Sequence, residues 1–428
     1  MDRQVTKSKG LRGTVTVPGD KSISHRALMI AALANGESRI AGLLDAADPT
    51  STKTCLSTLG IQFEWKGEFL SVHGRGLKGL QAPQTILDAG NSGTTIRLLS
   101  GILAGQPFAS TISGDESLCG RPMKRIIDPL SEMGARIEGT PKGTAPLRIL
   151  GTYPLRPIEY QMPISSAQVK SAILLAGLFA DGTTRVVEKT VTRDHTERML
   201  GLTTTRSALG HSVEVEGGRE IQPGEFQVPG DISSAAFLVS AALIVPHSEI
   251  RIRNVGLNPT RTRILDFYRS LGASISILDE KIVAGEPIGD LLVLSTELQG
   301  NVWLDGNAVA ELIDEIPIIS VTLALSGVGL TIQGAADLRA KESDRIASIV
   351  ANLRNLGLDV EEYADGFAFQ AKKSLLHARC DSFGDHRIAM AFGVAGLALS
   401  GETTIQNAEC VDISFPAFWN LLETLQLH

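Results

Sequence analysis

RSLGASISI, residues 269–277, runs from a helix-like stretch through an apolar residue and a glycine into an alternating strand. The same phrase stands at STLGIQFEW (57–65), SEMGARIEG (131–139), SALGHSVEV (207–215) and RNLGLDVEE (354–362). Each copy places a glycine (Gly60, Gly134, Gly210, Gly272, Gly357) where a helix is expected to end in the left-handed conformation that costs glycine least. At the C-terminus, FPAFWNLLETLQLH reads as a sixth helix of this type whose strand is missing. Dividing 428 residues by six gives about 71 per unit, room for two helices and three or four strands.

A second kind of helix fills the intervals. IRLLSGILAG, AQVKSAILLAGLFADG, AAFLVSAALIV, IPIISVTLALSG and IAMAFGVAGLALSG are apolar around most of their circumference, which predicts buried rather than amphipathic helices. The stretch VPGDKSISHRALMIAAL (17–33) returns as VPGDISSAAFLVSAAL (228–243), with Ile232, Ala236 and Phe237 where the first copy has Lys21, His25 and Arg26. That second copy divides the six units into three and three. The expected domains are 19–228, and 1–18 together with 229–428, the segment before Pro18 pairing with the second.

Composition narrows the class. A chain with 43% hydrophobic residues, 20% charged residues and a net charge of −7 is not built to coat nucleic acid or an anionic membrane. Ile316 to Ala336 lacks charge and is long enough to span a bilayer, but Pro317, Gly327, Gly329 and Gly334 break it into a helix, a turn and a strand, so burial in an α/β core is expected. The N-terminus MDRQVTKSKGLRG has no apolar stretch of a secretory signal, which predicts a cytoplasmic protein. Cys55, Cys119, Cys380 and Cys410 form no C-x-x-C pair and have no His cluster near them in sequence, so free thiols and no metal site are expected.

Polar clusters precede the buried helices: DKSISHR (20–26), GNSGTT (90–95), ISSAQVK (164–170), LIDEIP (312–317) and GDHR (384–387). CGRPMKR (119–125) and LRAKESDR (338–345) add two more. Unpaired N–H groups and the helix dipole favour anions at such positions, so an acidic chain can still bind a phosphate-bearing ligand. Lys341 and Arg345 are expected four apart on one helix face, with Arg339 nearby, an arrangement that is unfavourable unless an anion sits between like charges. Pro122 at a first helical position would put Arg121 at the helix entrance. GRGLKG (74–79) matches a dinucleotide fingerprint, but no helix-forming stretch follows it, and it reads as a turn. Cys119 is expected to be an inert thiol, and His25 and His386 to support neighbours by hydrogen bonding rather than carry protons.

PGDKSISHRALMIAAL, DAGNSGTTIRLL, GRPMKRIIDPL, SSAQVKSAILLAGL, TRDHTERML, LIDEIP, LRAKESDRI and GDHRIAMAFGVAGL, in this order and from end to end, resemble the 5-enolpyruvylshikimate-3-phosphate synthase family. The SSAQ and RDHTE forms are similar to its Ser-Ala-Gln subgroup. The resemblance implies a two-domain inside-out α/β barrel built from six similar βαβαββ-type units. It also implies transfer of the enolpyruvyl group of phosphoenolpyruvate to shikimate 3-phosphate by addition and elimination through a tetrahedral adduct. Lys21, Ser22, Arg26, Ser165, Ser166, Ala167, Gln168, Arg193, Asp314 and Lys341 would contact shikimate 3-phosphate. Lys21, Gly93, Arg121, Gln168, Arg345 and Arg387 would hold phosphoenolpyruvate. Adding an alcohol to the enol carbon needs a base at the hydroxyl and an acid for the methylene carbon. By resemblance Asp314, Lys341, Glu342 and Lys21 form the catalytic set, with Asp314 as base and either Glu342 or Lys341 as acid. No cofactor or metal is implied, no nucleic acid or membrane partner is expected, and the chain is expected to be a monomer.

One departure concerns ECVDISFPAF, where Ile413 stands in a place that many members give to lysine; this puts one phosphoenolpyruvate contact in question. Other readings meet objections in the sequence, and an RNA-processing enzyme on a related repeat fold would need a basic surface and a nucleotide site that the sequence does not show. UDP-N-acetylglucosamine enolpyruvyl transferases share fold and chemistry, but they carry Lys-Asn where this chain has Lys21-Ser22, and a reactive cysteine several residues before the Arg-Pro, whereas Cys119 is two before Arg121. A non-catalytic phosphometabolite-binding protein would need the anion clamp without the proton-transfer groups Asp314, Lys341 and Glu342.

Overall fold

The computed structural model describes residues 1–207, 210–372 and 374–427. The chain forms two compact units, one of Gly19–Pro229 with Ile282–Glu286, the other of Met1–Pro18, Gly230–Lys281 and everything from Pro287 onward.

Inside the first unit lie the helices Lys21–Leu33, Gly93–Ala104 and Ala167–Gly177; the second has Ile232–Ile244, Ile316–Leu325 and His386–Ala398. These are the apolar segments of the sequence, and burial extends around them: in Ile232–Ile244 every residue but the last is buried. Two inner helices approach closely because Gly101 has no side chain. A Cβ there would stand 2.2 Å from the Ala172 carbonyl oxygen. The apolar run from Ile316 splits into the helix Ile316–Leu325 and the strand Gly329–Ile332, and among the described residues no helix is long and apolar enough to cross a membrane.

The described residues form six small sheets of shared design. In one, Leu87–Asp88 enters the helix Gly93–Ala104 and pairs parallel with Ala109–Ser113, the strand that leaves it. Ala109–Ser113 pairs antiparallel with Leu147–Leu150, which holds the edge strand Arg136–Glu138. In the two units that open on VPGD the entering strand comes from elsewhere in the chain: Glu225–Gln227 pairs with Asn35–Ala41, and Arg12–Thr16 with Glu249–Gly256. The sixth sheet has three strands, and the partner absent after the C-terminal helix Phe418–Leu425 is supplied by Arg3–Thr6, antiparallel to Glu402–Gln406.

The outer helices end as the repeat predicts at Gly60, Gly134, Gly272 and Gly357, whose φ angles lie between +86° and +95°. The copy at 207–215 is different. Thr203–Ser207 is a strand paired with Gly210–Glu216, the Ala208–Leu209 step lies outside the described residues, and the helix of this unit, His195–Leu200, ends earlier on Gly201 at φ +58°. Three consecutive threonines, Thr203–Thr205, favour extended backbone, so this stretch pairs as a strand instead of continuing a helix to Gly210.

Candidate functional site

In the first unit three inner helices bring their N-termini together. Asp20 caps the first, accepting from the Ile23 N–H at 2.9 Å; Ser92 and Ser166 cap the other two. A hydroxyl chain links the first two ends: His25 Nδ1 lies 2.7 Å from Thr52 Oγ1, which lies 2.7 Å from Thr95 Oγ1. The second and third meet through Gln168, which donates to Thr94 Oγ1 at 3.1 Å and accepts from Arg97 Nη1 at 2.6 Å.

Cations crowd this end. Lys21 is half exposed, with Nζ 3.1 Å from Asp48 Oδ2. Arg121 donates to Asn91 Oδ1 at 2.5 Å. Arg97 is largely buried, and burial together with Arg125 and Arg121 lowers its pKa to about 10. Gly93 opens its helix where any side chain would meet these cations: a Cβ would lie 2.9 Å from Arg97 Nη1 and 3.4 Å from Arg121 Nη1. Arg26 is buried, donating to Thr196 Oγ1 at 2.8 Å, Ser22 O at 2.9 Å and Ser171 Oγ at 2.7 Å; burial lowers its pKa to about 10. Ser165 is exposed, while Ser22, Ala167 and Arg193 are partly buried.

Two local expectations fail here and in the second unit. Pro122 does not open a helix: Lys124–Glu132 starts two residues later, the Met123 N–H being taken by the Gly143 carbonyl at 2.8 Å, and Arg121 sits in the preceding turn. Lys341 and Arg345 do not share a helix face. Lys341 is extended backbone after the short 3₁₀ turn Ala336–Ala340, and Asp344 starts a new helix at Arg345 by accepting from the Ala347 N–H at 3.0 Å. An aspartate able to cap stops the pattern from running through. Arg339 is spoken for by Asp344 and Glu362.

The second unit gathers a carboxylate-rich cluster around Arg345, which is 1% exposed. Its Nε donates to Asp385 Oδ2 and its Nη2 to Glu342 Oε2, each at 2.7 Å. Its Nη1 makes no hydrogen bond although buried, and lies 3.8 Å from Asp314 Oδ1. Arg387 donates to the Asp314 carbonyl at 2.8 Å and has Glu315 Oε1 at 3.9 Å. Burial would raise the Glu342 carboxyl, but the Arg345 guanidinium outweighs it and holds the group below its ordinary value. Asp385 is held low in the same way. Glu315 goes up, chiefly through burial and then through neighbouring Asp314; it accepts a short hydrogen bond from Ser233 Oγ, which also accepts from Arg261. Lys341 is exposed.

Sequence reasoning passed over Arg97, Glu315 and Asp385. Each had a signal: Arg97 is the one charge in IRLLSGILAG, and Glu315 and Asp385 stand beside Asp314 and Arg387 at the mouths of apolar helices.

Residues 5–422 match the EPSP synthase (3-phosphoshikimate 1-carboxyvinyltransferase) family model. The chain belongs to the EPSP synthase family. Similar relatives named 3-phosphoshikimate 1-carboxyvinyltransferase include that of Pelobacter propionicus, 49% identical over 98% of this chain and 97% of the relative. That of Salinibacter ruber is 48% identical over the whole of both chains. Among solved structures, the EPSP synthase of Acinetobacter baumannii superposes with a TM-score of 0.91 at 40% identity, covering 100% of this chain and 98% of its own. The fold is accordingly of the two-domain enolpyruvate transferase type. Against this EPSP synthase background, Ile413 is 59% exposed on the 3₁₀ turn Ala408–Ile413 and brings no charge to that place.

Proposed function

We propose that this EPSP synthase family member performs its transfer with the residues gathered at the cationic cluster of the first unit and the carboxylate-rich cluster around Arg345 in the second. The substrates are phosphoenolpyruvate and shikimate 3-phosphate; the 5-hydroxyl of the latter adds to the enol carbon as the methylene carbon takes up a proton, and the tetrahedral adduct then expels phosphate while its new methyl group gives up a proton to restore the carbon–carbon double bond. The observation that carries the reading is Arg345. Two of its nitrogens are committed to Asp385 and Glu342, while buried Nη1 is unbonded beside Asp314. A buried donor left unmade costs free energy that an anionic ligand would recover, and here that donor sits next to the candidate base.

Lys21, Gly93, Arg121, Gln168, Arg345 and Arg387 take phosphoenolpyruvate, the Gly93 backbone allowing close approach. Lys21, Ser22, Arg26, Ser165, Ser166, Ala167, Gln168 and Arg193 take shikimate 3-phosphate, with Asp314 and Lys341 at its hydroxyls. Fixing two anions among oriented donors supplies orientation and electrostatic stabilisation. Asp314 removes the hydroxyl proton. Glu342, held ionised by Arg345, is a poor proton source at neutral pH, which leaves the Lys341 ammonium to protonate the methylene carbon. The SSAQ and RDHTE segments put the chain in the Ser-Ala-Gln subgroup, and we read it as a cytoplasmic monomer organised as two domains, 19–228 and 1–18 with 229–428.

Asp314→Asn tests the base. Removing a general base costs on the order of 10²–10⁴ in rate, so turnover should fall at least about 100-fold by that measure while calorimetry still finds both ligands bound. Near-normal turnover would remove Asp314 from the mechanism.

A further inference from the structure

Lys170 interrupts the apolar face of Ala167–Gly177 and is fully buried. Its Nζ lies 2.7 Å from Glu188 Oε1 and 2.6 Å from Glu197 Oε1, and those carboxylates are 1% and 2% exposed. A buried ion cluster of this kind is weak evidence for stability, since desolvation offsets the attraction and well-packed apolar residues often do as well. What it does supply is fixed geometry. Three elements are tied at one point: the inner helix through Lys170, the end of the strand Thr183–Glu188, and the helix His195–Leu200 through Glu197.

From that point two short chains of bonds lead to cations. Glu188 Oε2 accepts from the Thr192 hydroxyl at 2.7 Å and from its N–H at 3.2 Å, and Lys170 Nζ reaches the Thr192 carbonyl at 3.4 Å. Thr192 is therefore gripped at three atoms, and the next residue is Arg193. The sequence neighbours of Lys170 and Glu197 are Ser171 and Thr196, whose hydroxyls accept from Arg26 and bond each other at 2.8 Å. We propose that the buried Lys170–Glu188–Glu197 cluster is a positioning device for shikimate 3-phosphate binding, holding the Lys189–Asp194 segment and the Arg26 guanidinium where that ligand requires them. This rests on the assignment of Arg26 and Arg193 to shikimate 3-phosphate made above. The three cluster side chains are buried, with 0–2% exposure; they act through Thr192, Ser171 and Thr196.

Thr192→Val removes one hydroxyl and leaves the ion cluster whole, so folding should survive. Glu188→Gln weakens the same grip from the other side. Each should raise the KM for shikimate 3-phosphate about tenfold, the loss of roughly one charge-assisted hydrogen bond, with kcat and the KM for phosphoenolpyruvate within about twofold of wild type. The double variant should cost less than the product of the two single effects, because the bond from the Thr192 hydroxyl to Glu188 is shared, although Glu188→Gln also loses the ion pair with Lys170. Arg193→Ala is the control and should raise the shikimate 3-phosphate KM at least as much. If Arg193→Ala behaves so while Thr192→Val and Glu188→Gln leave that KM unchanged, or lower kcat and change both KM values alike, the cluster is merely structural and the proposal is overturned. An unchanged KM in Arg193→Ala would instead overturn the ligand assignment beneath it.

Discussion

Arg345 divides its three nitrogens between Asp385, Glu342 and a direction left open toward Asp314, and that division makes the side chain both scaffold and ligand donor. Gly93 works by the opposite means, having no side chain among crowded cations. Gly93→Ala would set a methyl 2.9 Å from Arg97 Nη1 and 3.4 Å from Arg121 Nη1, and one or both guanidiniums must shift. Misplacement of positioning groups by up to an ångström costs as much as 10²-fold, so the KM for phosphoenolpyruvate should rise about tenfold or more on that scale, with shikimate 3-phosphate affinity little changed. Steady-state kinetics with each substrate varied will check this; equal changes for both would contradict the steric account. The residues at issue were legible in sequence only as clusters. Gly93, Arg121 and Arg345 could be named from their motifs, but the bond from Arg97 to Gln168 joins residues 71 apart, and nothing in local pattern announces which charged neighbour will be used. The spacing of Lys341 and Arg345 misled because Asp344 caps a new helix between them.

At the scale of elements, the two VPGD copies show one scaffold with two uses. Asp20 and Asp231 each cap an inner helix, accepting from the Ile23 and Ser233 N–H groups at 2.9 Å. Both helices are buried along nearly their whole length, but the first carries Lys21 and Arg26 in its first two turns whereas the second continues apolar. Replacing a capping aspartate by alanine costs about 0.5–2 kcal/mol. Asp20→Ala and Asp231→Ala should both fall in that range or above, since Asp20 is buried beside Arg26 and the Asp231 carboxylate also meets the buried Arg261 at 3.2 Å. Chemical denaturation of the two variants checks this, and a loss below about 0.5 kcal/mol at either would refute it. Helix type and helix ends were the most readable features, since apolar circumference and a terminal glycine are local signals. The copy at 207–215 escaped because the β-branched residues before it form a strand paired with Gly210–Glu216, and of the last sheet only the pairing of the segment before Pro18 with the second domain was legible, the particular strand being hidden because Arg3–Thr6 lies some 400 residues from it.

For the molecule as a whole, buried histidines set a pH dependence. Burial lowers His25 to about 3 and His386 to about 4, from an ordinary 6.5. Around His25, Asp48 and Asp20 pull the value up while Lys21 and Arg26 push it down; around His386, Asp385 and Glu342 oppose Arg387 and Arg345. Between about pH 6.5 and 4 the unfolded chain therefore binds protons that the folded chain refuses, and stability falls as pH falls through that window. Glu197 and Glu315, raised by burial, work in the opposite sense, so the histidine share is best read by difference: urea midpoints of His25→Gln should drop less between pH 7 and pH 5 than those of wild type, and an equal drop would show that His25 contributes nothing. The wider claim is that both clusters serve one reaction with one acceptor. Phosphate release from phosphoenolpyruvate, measured with shikimate 3-phosphate and separately with UDP-N-acetylglucosamine, tests it most directly. The account predicts phosphate in step with an enol ether product when shikimate 3-phosphate is supplied and none with the UDP-sugar; release with the UDP-sugar alone would contradict it.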